Sequence, residues 1–340
     1  MMRPALPRLA VCWLAGAFHA LALAQTFQLP TSNRSLLDLG RPSERFLVGT
    51  AGKPWESGQF GCVRSEGRQF HEGIDIRSIQ QDRRGEPTDP VLASADGVVA
   101  YVNLRPGLSN YGNYIVLRHV IDQVEVHTLY AHLASVDKAV RVGRAVRAGQ
   151  AIGIMGRTSN TRQRISKDRA HVHFEVCLRT SNDYASWHRA RQKGTRNDHG
   201  EFNGRNFLGM DPSDVLLASA RQGPAFSLAR HMAAQPETLR VLVREPDLGW
   251  ARRFAGLVQP NPVAAKEGVG GWEIAMAFNG APLRLTPRAA REIKAGPRIQ
   301  VLSVNEAERN AHPCGRLVVR RGQAWTVLPA LDDILELSKR

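Results

Sequence analysis

The sequence predicts a mostly β protein, with a sheet or barrel-like core followed by a smaller β-rich region. Two observations support this prediction. Between residues 59 and 220, short runs of branched and aromatic residues alternate with glycine turns, and no helical period separates them. After residue 222, four more apolar runs of strand length follow.

Each predicted strand is a short run in which apolar side chains recur at the spacing of a pleated strand. In the first block these runs are 98–102, 113–119, 124–130, 151–155 and 172–178. A helix is predicted after Asp211-Pro212, because aspartate is a favoured N-cap and proline is accepted at the first helical position. In the second block the predicted strands are 239–243, 272–278, 299–304 and 317–319.

Residues 1–24 are predicted to be a secretory signal peptide. Arg3 and Arg8 precede an apolar run that ends in the small-residue pattern Ala22-Leu23-Ala24, which favours cleavage before Gln25. A membrane anchor is the alternative, but the run is short and His19 interrupts it. No other stretch is long and apolar enough to span a bilayer. We therefore expect an exported protein, periplasmic or extracellular.

Three further units are expected in the mature chain: a leader or linker at 25–49, a first domain at 50–220 and a C-terminal β-rich accessory domain at 225–340. Two polar and mostly basic stretches, 157–169 and 180–206, interrupt the first domain. Long polar runs favour surface loops. These two stretches are either the walls of a groove beside a functional site or ordinary solvated loops.

The formal net charge is +15, which predicts attraction to anionic partners such as cell-wall polymers. Nucleic acid is the weakest candidate partner. Aromatic residues make up only 6% of the chain, and no zinc-finger or RNP-like pattern occurs. Charge of this kind determines partners and association rates but no chemistry.

The mature chain retains Cys62, Cys177 and Cys314, and export would place them in an oxidising compartment. Three thiols cannot all pair with one another. Cys177 shares a strand face with nearby histidines, so it is a possible metal ligand, a buried small residue or a disulfide partner. A Cys62–Cys177 bridge is one pairing that we consider.

The strongest chemical signal is a pair of short segments about a hundred residues apart. Residues 71–75 read His-Glu-Gly-Ile-Asp, and residues 171–173 read His-Val-His. On a strand, residues separated by an even number of positions lie on the same face. A His-Asp pair facing a His-x-His pair provides three zinc ligands and a spare imidazole, with one coordination position left open. An open position is typical of catalytic rather than structural zinc sites.

A zincin motif fits less well, since His-Glu-x-x-His would require histidine at Asp75. Glu72 is therefore not expected to act as a zincin-type base. Among the other histidines, His119 and His127 are expected in the core or next to the site. Surface positions are expected for His188, His199, His231 and His312.

The series of motifs resembles the lysostaphin/LytM-type zinc metallopeptidases of peptidoglycan. The order and spacing match over about 59–212, close to half of the chain. The matching motifs are His71-x-Gly-x-Asp75, Asp96-Gly97-x-Val99, Tyr111-Gly112-Asn113-Tyr114, Leu129-Tyr130-Ala131-His132-Leu133, Val146-x-x-Gly149-Gln150-x-Ile152-Gly153 and His171-x-His173-Phe174-Glu175.

The resemblance implies a compact antiparallel β-sheet core with a groove. It also implies that His71, Asp75 and His173 bind Zn²⁺ and that His132 and His171 are catalytic. The chain differs from the family pattern in the long basic segment before His171 and in its thiols. Neither difference removes a predicted ligand.

The function expected from the resemblance is that of an exported zinc endopeptidase, which hydrolyses amide bonds in peptidoglycan peptide stems or cross-links. One alternative is a non-catalytic protein that binds the cell wall and regulates other murein hydrolases, because some relatives have lost ligands and act only as activators. Another alternative is hydrolysis of ordinary protein substrates.

Overall fold

Antiparallel strands dominate the computed structural model, which describes residues 26–161 and 164–340. The predicted signal peptide lies outside the described residues. The strands, in chain order, are β1 Gly61–Arg64, β2 Gln69–His71, β3 Ile74–Arg77, β4 Pro90–Leu92, β5 Gly97–Asn103, β6 Tyr114–Ile121, β7 Val124–Ala131, β8 Ser135–Val136, β9 Ala145–Val146, β10 Ala151–Ile154, β11 His171–Arg179, β12 Phe207–Met210, β13 Leu239–Val243, β14 Gly271–Met276, β15 Pro282–Arg288, β16 Ile299–Val304, β17 Val318–Arg321 and β18 Ala324–Val327. The predicted fold class is confirmed.

The α-helices are short, with 5 to 11 residues each. They are α1 Ser35–Leu39, α2 Tyr184–Arg191, α3 Pro212–Gln222, α4 Leu228–Ala233, α5 Gly249–Arg253, α6 Pro262–Glu267, α7 Glu306–Ala311 and α8 Pro329–Leu337. Helix α3 begins as the sequence predicts, since the Asp211 side chain accepts a hydrogen bond from the Ser213 amide at 2.9 Å. Among the described residues, no helix has both the length and the apolar character needed to cross a membrane.

The central sheet has seven strands in the order β12-β11-β7-β6-β5-β9, and β3 pairs with β11 beside β12. Strand β11 therefore has β7 along one edge and both β3 and β12 along the other. All of these pairings are antiparallel. The residues of β11 are almost all buried, as expected for a strand in the middle of a sheet.

The C-terminal region forms a second sheet in the order β15-β14-β13-β16, followed by the hairpin β17-β18. One hydrophobic cluster runs through both regions, from Val172 and Phe174 in β11 to Trp250, Phe254 and Leu335. The indole of Trp250 also donates a hydrogen bond to the carbonyl of Thr180 at 2.9 Å. The C-terminal region is therefore packed against the central sheet, while the predicted domain boundaries stay a prediction.

The segment predicted as a leader is part of this packed structure. Phe27, Leu36, Phe46 and Leu47 are buried in the main hydrophobic cluster. The amide of Phe27 donates to the hydroxyl of Ser219 at 2.8 Å, which joins the segment to α3. Residues 26–49 therefore bury apolar side chains although their sequence lacks a clear period.

Candidate metal centre

Three potential ligand atoms converge where β2, β3 and β11 meet. Strand pairing places Asp75 directly opposite His173, and His71 ends the preceding strand. The Asp75 Oδ1 atom lies 3.0 Å from His173 Nδ1 and 3.2 Å from His71 Nε2. The two imidazole nitrogens are 3.1 Å apart. All three residues are buried.

Hydrogen bonds fix which nitrogen each of these imidazoles presents to the centre. The Nδ1–H of His71 donates to the carbonyl of Gln59 at 2.7 Å, which leaves Nε2 as a lone pair facing Asp75. The Nε2–H of His173 donates to Glu175 Oε1 at 3.0 Å, which leaves its Nδ1 facing inwards. A histidine that donates its second N–H to a carboxylate or carbonyl is typical of metal sites.

Two further residues support this arrangement from outside. The hydroxyl of Tyr111 donates to Glu175 Oε1 at 2.6 Å, and Arg64 donates to the outer oxygen of Asp75 at 2.8 Å. Burial and the neighbouring Glu175 carboxylate raise the pKa of Tyr111 well above its ordinary value, so its hydroxyl remains a donor. Positioning roles for Tyr111, Arg64 and Glu175 were not predicted from the sequence. Tyr111 and Glu175 lie in the quoted motifs, and Glu175 shares a strand face with His173, whereas Arg64 lies outside the motifs.

The two remaining histidines lie beside the three potential ligands. His132 follows β7 with a φ of +63°, and its Nδ1–H donates to the carbonyl of Thr158 at 2.9 Å. The Nδ1–H of His171 donates to the carbonyl of Arg169 at 2.6 Å. The rings of His132 and His171 are 4.8 Å apart. Because Nδ1 carries the proton in both, each neutral ring has a bare Nε2.

Burial and neighbouring charges favour the neutral forms of His132 and His171. Burial lowers the pKa of His132 well below its ordinary value, and the nearby His171 and His173 lower it further. Burial also lowers the pKa of His171, although Asp75 opposes this effect. Both imidazoles are therefore neutral near pH 7.

For two of the potential ligands, His173 and Asp75, the surroundings favour the charged form instead. Burial opposes charge on His173, but its hydrogen bonds to Asp75 and Glu175 outweigh burial and raise its pKa to about 10. Burial also opposes charge on Asp75, yet His71, His171 and His173 together hold its pKa well below the ordinary value. The centre thus favours a cation between one carboxylate and two imidazoles.

The donor set fits a divalent metal. Once His173 releases its Nδ1 proton, two imidazole lone pairs 3.1 Å apart face the Asp75 carboxylate, and none of the three groups can donate a hydrogen bond to another. A cation satisfies all three, and one carboxylate with two imidazoles is a zinc ligand set that leaves a position open.

The structure also tests the predictions for the remaining histidines. His119 and His127 are buried in the sheet, as expected. The surface prediction is wrong for His188 and His199, which are only 4% and 7% exposed. Both lie within 180–206, where helix α2 and an aromatic cluster around Tyr101 bury them. A polar sequence alone does not reveal this packing.

The considered Cys62–Cys177 bridge is wrong. Cys62 in β1 forms a disulfide with Cys314, at a Cα–Cα distance of 5.5 Å and a sequence separation of 252 residues. Cys177 is a free, buried thiol whose position in β11 lies opposite His127 in β7. It packs in a small hydrophobic cluster of the sheet, outside the group of converging ligand atoms, and is a small core residue.

A groove of about 890 Å³ opens over the centre, and His132, His171 and His173 are among its lining residues. One part of its wall comes from 195–205, within the second predicted loop. Another part comes from the C-terminal region, including Phe278, Gly315 and Ile334. The interpretation of 180–206 as a groove wall is therefore supported by position.

Residues 69–185 match the family model described as Peptidase family M23. The chain carries a peptidase family M23 domain. The predicted resemblance is confirmed at this level, and the five histidine and aspartate residues of the centre all lie inside the match.

Known proteins similar to the chain include two curated relatives. DD-carboxypeptidase/endopeptidase Mpg of Neisseria meningitidis is 35% identical over 108 residues, which are 32% of this chain and 20% of Mpg. Murein hydrolase activator NlpD of Salmonella typhimurium is 32% identical over 153 residues, which are 45% of this chain and 33% of NlpD. The chain thus spans a third or less of the length of these relatives.

Among solved structures, the catalytic domain of the antimicrobial peptidase lysostaphin from Staphylococcus simulans is 26% identical to the matching part of the chain. The match covers 35% of this chain and 74% of that domain, with a TM-score of 0.25.

Proposed function

We propose that the chain is an exported, zinc-dependent endopeptidase that hydrolyses amide bonds in the peptide stems or cross-links of peptidoglycan. One observation carries the proposal: three potential ligand residues converge at the groove, and two neutral imidazoles, those of His132 and His171, line it. The names of the relatives Mpg and NlpD support a cell-wall substrate, and the predicted signal peptide supports export to the periplasm or beyond.

In this proposal His71, Asp75 and His173 hold the zinc ion. Zinc in such a site polarises a carbonyl group and lowers the pKa of water to about 7. The hydrogen bonds from the two imidazoles to Glu175 and to the carbonyl of Gln59 keep the rings oriented, and burial excludes competing water. The supporting residues thus fix the ligand geometry before any metal binds.

His132 and His171 accept and donate protons. Each presents a bare Nε2 atom, so each accepts a hydrogen bond or a proton from the attacking water. Neither ring donates from Nε2 until it has been protonated, and only then does it stabilise an oxyanion or protonate the leaving amine. General acid–base catalysis of this kind contributes about 10²–10⁴-fold to the rate.

The test uses residues 25–340, purified and loaded with zinc, on isolated sacculi. We expect release of soluble muropeptides, loss of release with a chelator and recovery with zinc. His173→Ala should lose both zinc binding and turnover, whereas His132→Ala should keep zinc and lose about 10²–10⁴-fold in turnover. Full activity of His173→Ala would refute that ligand assignment, and full activity of His132→Ala would refute its catalytic role.

The second candidate function is that of a regulator that binds the cell wall without cutting it. The 32% identity to murein hydrolase activator NlpD over 153 residues favours this candidate. Zinc-loaded protein that binds sacculi tightly but releases nothing would support it. A parallel assay on casein separates both functions from hydrolysis of ordinary proteins.

A further inference from the structure

The walls of the groove come largely from outside the M23 match at 69–185. One wall segment runs from Thr195 to Arg205, and the C-terminal region adds Arg316 and its neighbours. These segments line the same groove as Asp75 and His173 and contribute no potential ligand. The chemistry of the walls can therefore select the substrate independently of the metal centre.

Arginine is the main charged residue of the groove. Within the described part of the chain, the lining contains five arginines, an excess of two over its three carboxylates, and no lysine. The arginines are Arg64, Arg169, Arg196, Arg205 and Arg316, and the carboxylates are Glu72, Asp75 and Asp198.

Two of the five arginines are already paired. Arg64 donates to Asp75 at 2.8 Å, and Arg196 donates to Asp198 at 2.7 Å. Arg169 uses its Nε on the carbonyl of Gly49 at 2.9 Å.

Arg205 and Arg316 differ from these three. Both side chains are exposed, and among the residues that the structure describes neither side chain forms a hydrogen bond or an ion pair. Two guanidinium groups in the groove thus lack partners in the described structure.

The backbone beneath both side chains is held in place. The side chain of Asn203 accepts a hydrogen bond from the amide N–H of Arg205 at 3.0 Å. A Cβ atom on the preceding Gly204 would come within 2.7 Å of the Tyr111 hydroxyl, so this loop lies directly against the residue that supports Glu175. On the other wall, Arg316 lies two residues after Cys314, whose disulfide ties it to β1.

We propose that Arg205 and Arg316 determine specificity by binding free carboxylate groups of the substrate peptide. A guanidinium group presents paired N–H donors that match a carboxylate, and charge-assisted pairs of this kind are stronger than neutral hydrogen bonds. The preferred substrate is then an anionic stem peptide rather than an uncharged oligoglycine bridge. Hydrolysis of such a peptide rests on the proposed function, whereas binding of its carboxylates by the two arginines does not require that the chain cuts it.

The test compares synthetic cross-linked stem peptides with free carboxylates against the same peptides with those groups amidated, and against pentaglycine. Zinc-loaded wild type, Arg205→Gln and Arg316→Gln are assayed for kcat/KM. Lys193→Gln and Arg321→Gln are matched controls, since both residues are exposed, lie outside the groove and form no ion pair within the described structure. Circular dichroism verifies folding of every variant.

We expect the wild type to prefer the free-carboxylate peptide by at least about tenfold, and each groove variant to lose about tenfold on that peptide alone. The controls should match the wild type on all substrates. Equal activity on the charged and amidated peptides, or equal losses on both in the groove variants, would overturn the proposal.

Binding measurements separate this proposal from the proposed function. Fluorescence anisotropy with labelled peptides should show the same carboxylate preference in His132→Ala, which is expected to lack turnover. If the wild type cuts nothing but binds the charged peptide through both arginines, the peptidase proposal fails and the specificity proposal survives. If the wild type cuts all peptides without any charge preference, the specificity proposal fails and the peptidase proposal survives.

Discussion

Replacing Glu175 by glutamine tests whether a carboxylate behind His173 controls metal affinity. Glu175 is 1% exposed and accepts two hydrogen bonds, from His173 at 3.0 Å and from Tyr111 at 2.6 Å. Glutamine has almost the same shape and can still accept a hydrogen bond from His173. The substitution therefore removes the negative charge with little change in packing.

The expected loss follows from the strength of that hydrogen bond. A hydrogen bond to a charged partner contributes about 1.5–3 kcal/mol, against about 0.5–1.5 kcal/mol for a neutral one. The difference, about 1–1.5 kcal/mol, corresponds to about a tenfold loss of affinity, which is the lower end of the 10–100-fold loss typical when such a supporting residue is replaced. We expect the zinc Kd of Glu175→Gln to rise about 10–100-fold.

The assay is competition for zinc with a chelating indicator, with the unfolding midpoint of the metal-free protein as a check on stability. Glu72→Gln is the matched control because Glu72 lines the same groove, is exposed and forms no hydrogen bond to the three ligand residues in the described structure. Its Kd should stay within about threefold of wild type, since exposed charges interact weakly with their surroundings. An unchanged Kd in Glu175→Gln, or an equal rise in Glu72→Gln, would refute the reasoning.

Three further predictions concern stability. Replacing both Cys62 and Cys314 by serine should lower the free energy of unfolding by about 2–5 kcal/mol, because the bridge joins residues 252 positions apart; an unchanged urea midpoint would contradict this. Gly112→Ala should lower the free energy of unfolding by about 2 kcal/mol or more, since Gly112 has a φ of +65° and a Cβ would lie 2.3 Å from the carbonyl oxygen of Thr158. Turnover should also fall, because that carbonyl accepts the hydrogen bond from His132. Burial lowers the pKa of His119 to about 4, so the folded state resists protonation of this imidazole. The free energy of unfolding should therefore fall by up to about 3 kcal/mol as the pH drops from about 6.5 to 4. In urea titrations, His119→Asn should reduce this dependence on pH.

The sequence predicts the sheet well where strands are long and alternate clearly. The predicted runs 239–243 and 299–304 coincide with β13 and β16, and 124–130 differs from β7 by one residue. The shortest strands, such as β8 and β9, are not predicted because two residues carry no period. Strand β12 is not predicted for a related reason, since it lies at the end of a long polar stretch.

The centre could be anticipated because strand geometry is regular. Even spacing places His171, His173 and Glu175 on one face of β11, and antiparallel pairing brings Asp75 opposite His173. The metal roles of these residues stay a prediction. The hydrogen bonds that select each tautomer could not be anticipated, because several of the acceptors are backbone carbonyls from loops.

The disulfide and the groove walls depend on long-range packing. Cys62 pairs across 252 residues, and no local pattern distinguishes Cys314 from Cys177 as its partner. The burial of His188 and His199 likewise depends on a helix and an aromatic cluster within a stretch that reads as polar. The spacing of apolar residues predicts which face of a single helix or strand is buried. The disulfide and the burial of His188 and His199 depend instead on contacts between segments that are far apart in the sequence.

The floor and the walls of the groove are under different physical constraints. The floor consists of buried, mutually hydrogen-bonded side chains, so a change there disturbs several partners and costs stability as well as activity. Arg205 and Arg316 are exposed and have no side-chain partner among the described residues, and substitutions at such positions usually change stability by no more than about 0.5 kcal/mol. Under the specificity proposal, substitutions at the walls would change substrate preference while the three potential ligand residues remain intact. Since the M23 match ends at residue 185, both proposed specificity residues lie outside it, and proteins that are similar over the match need not share them.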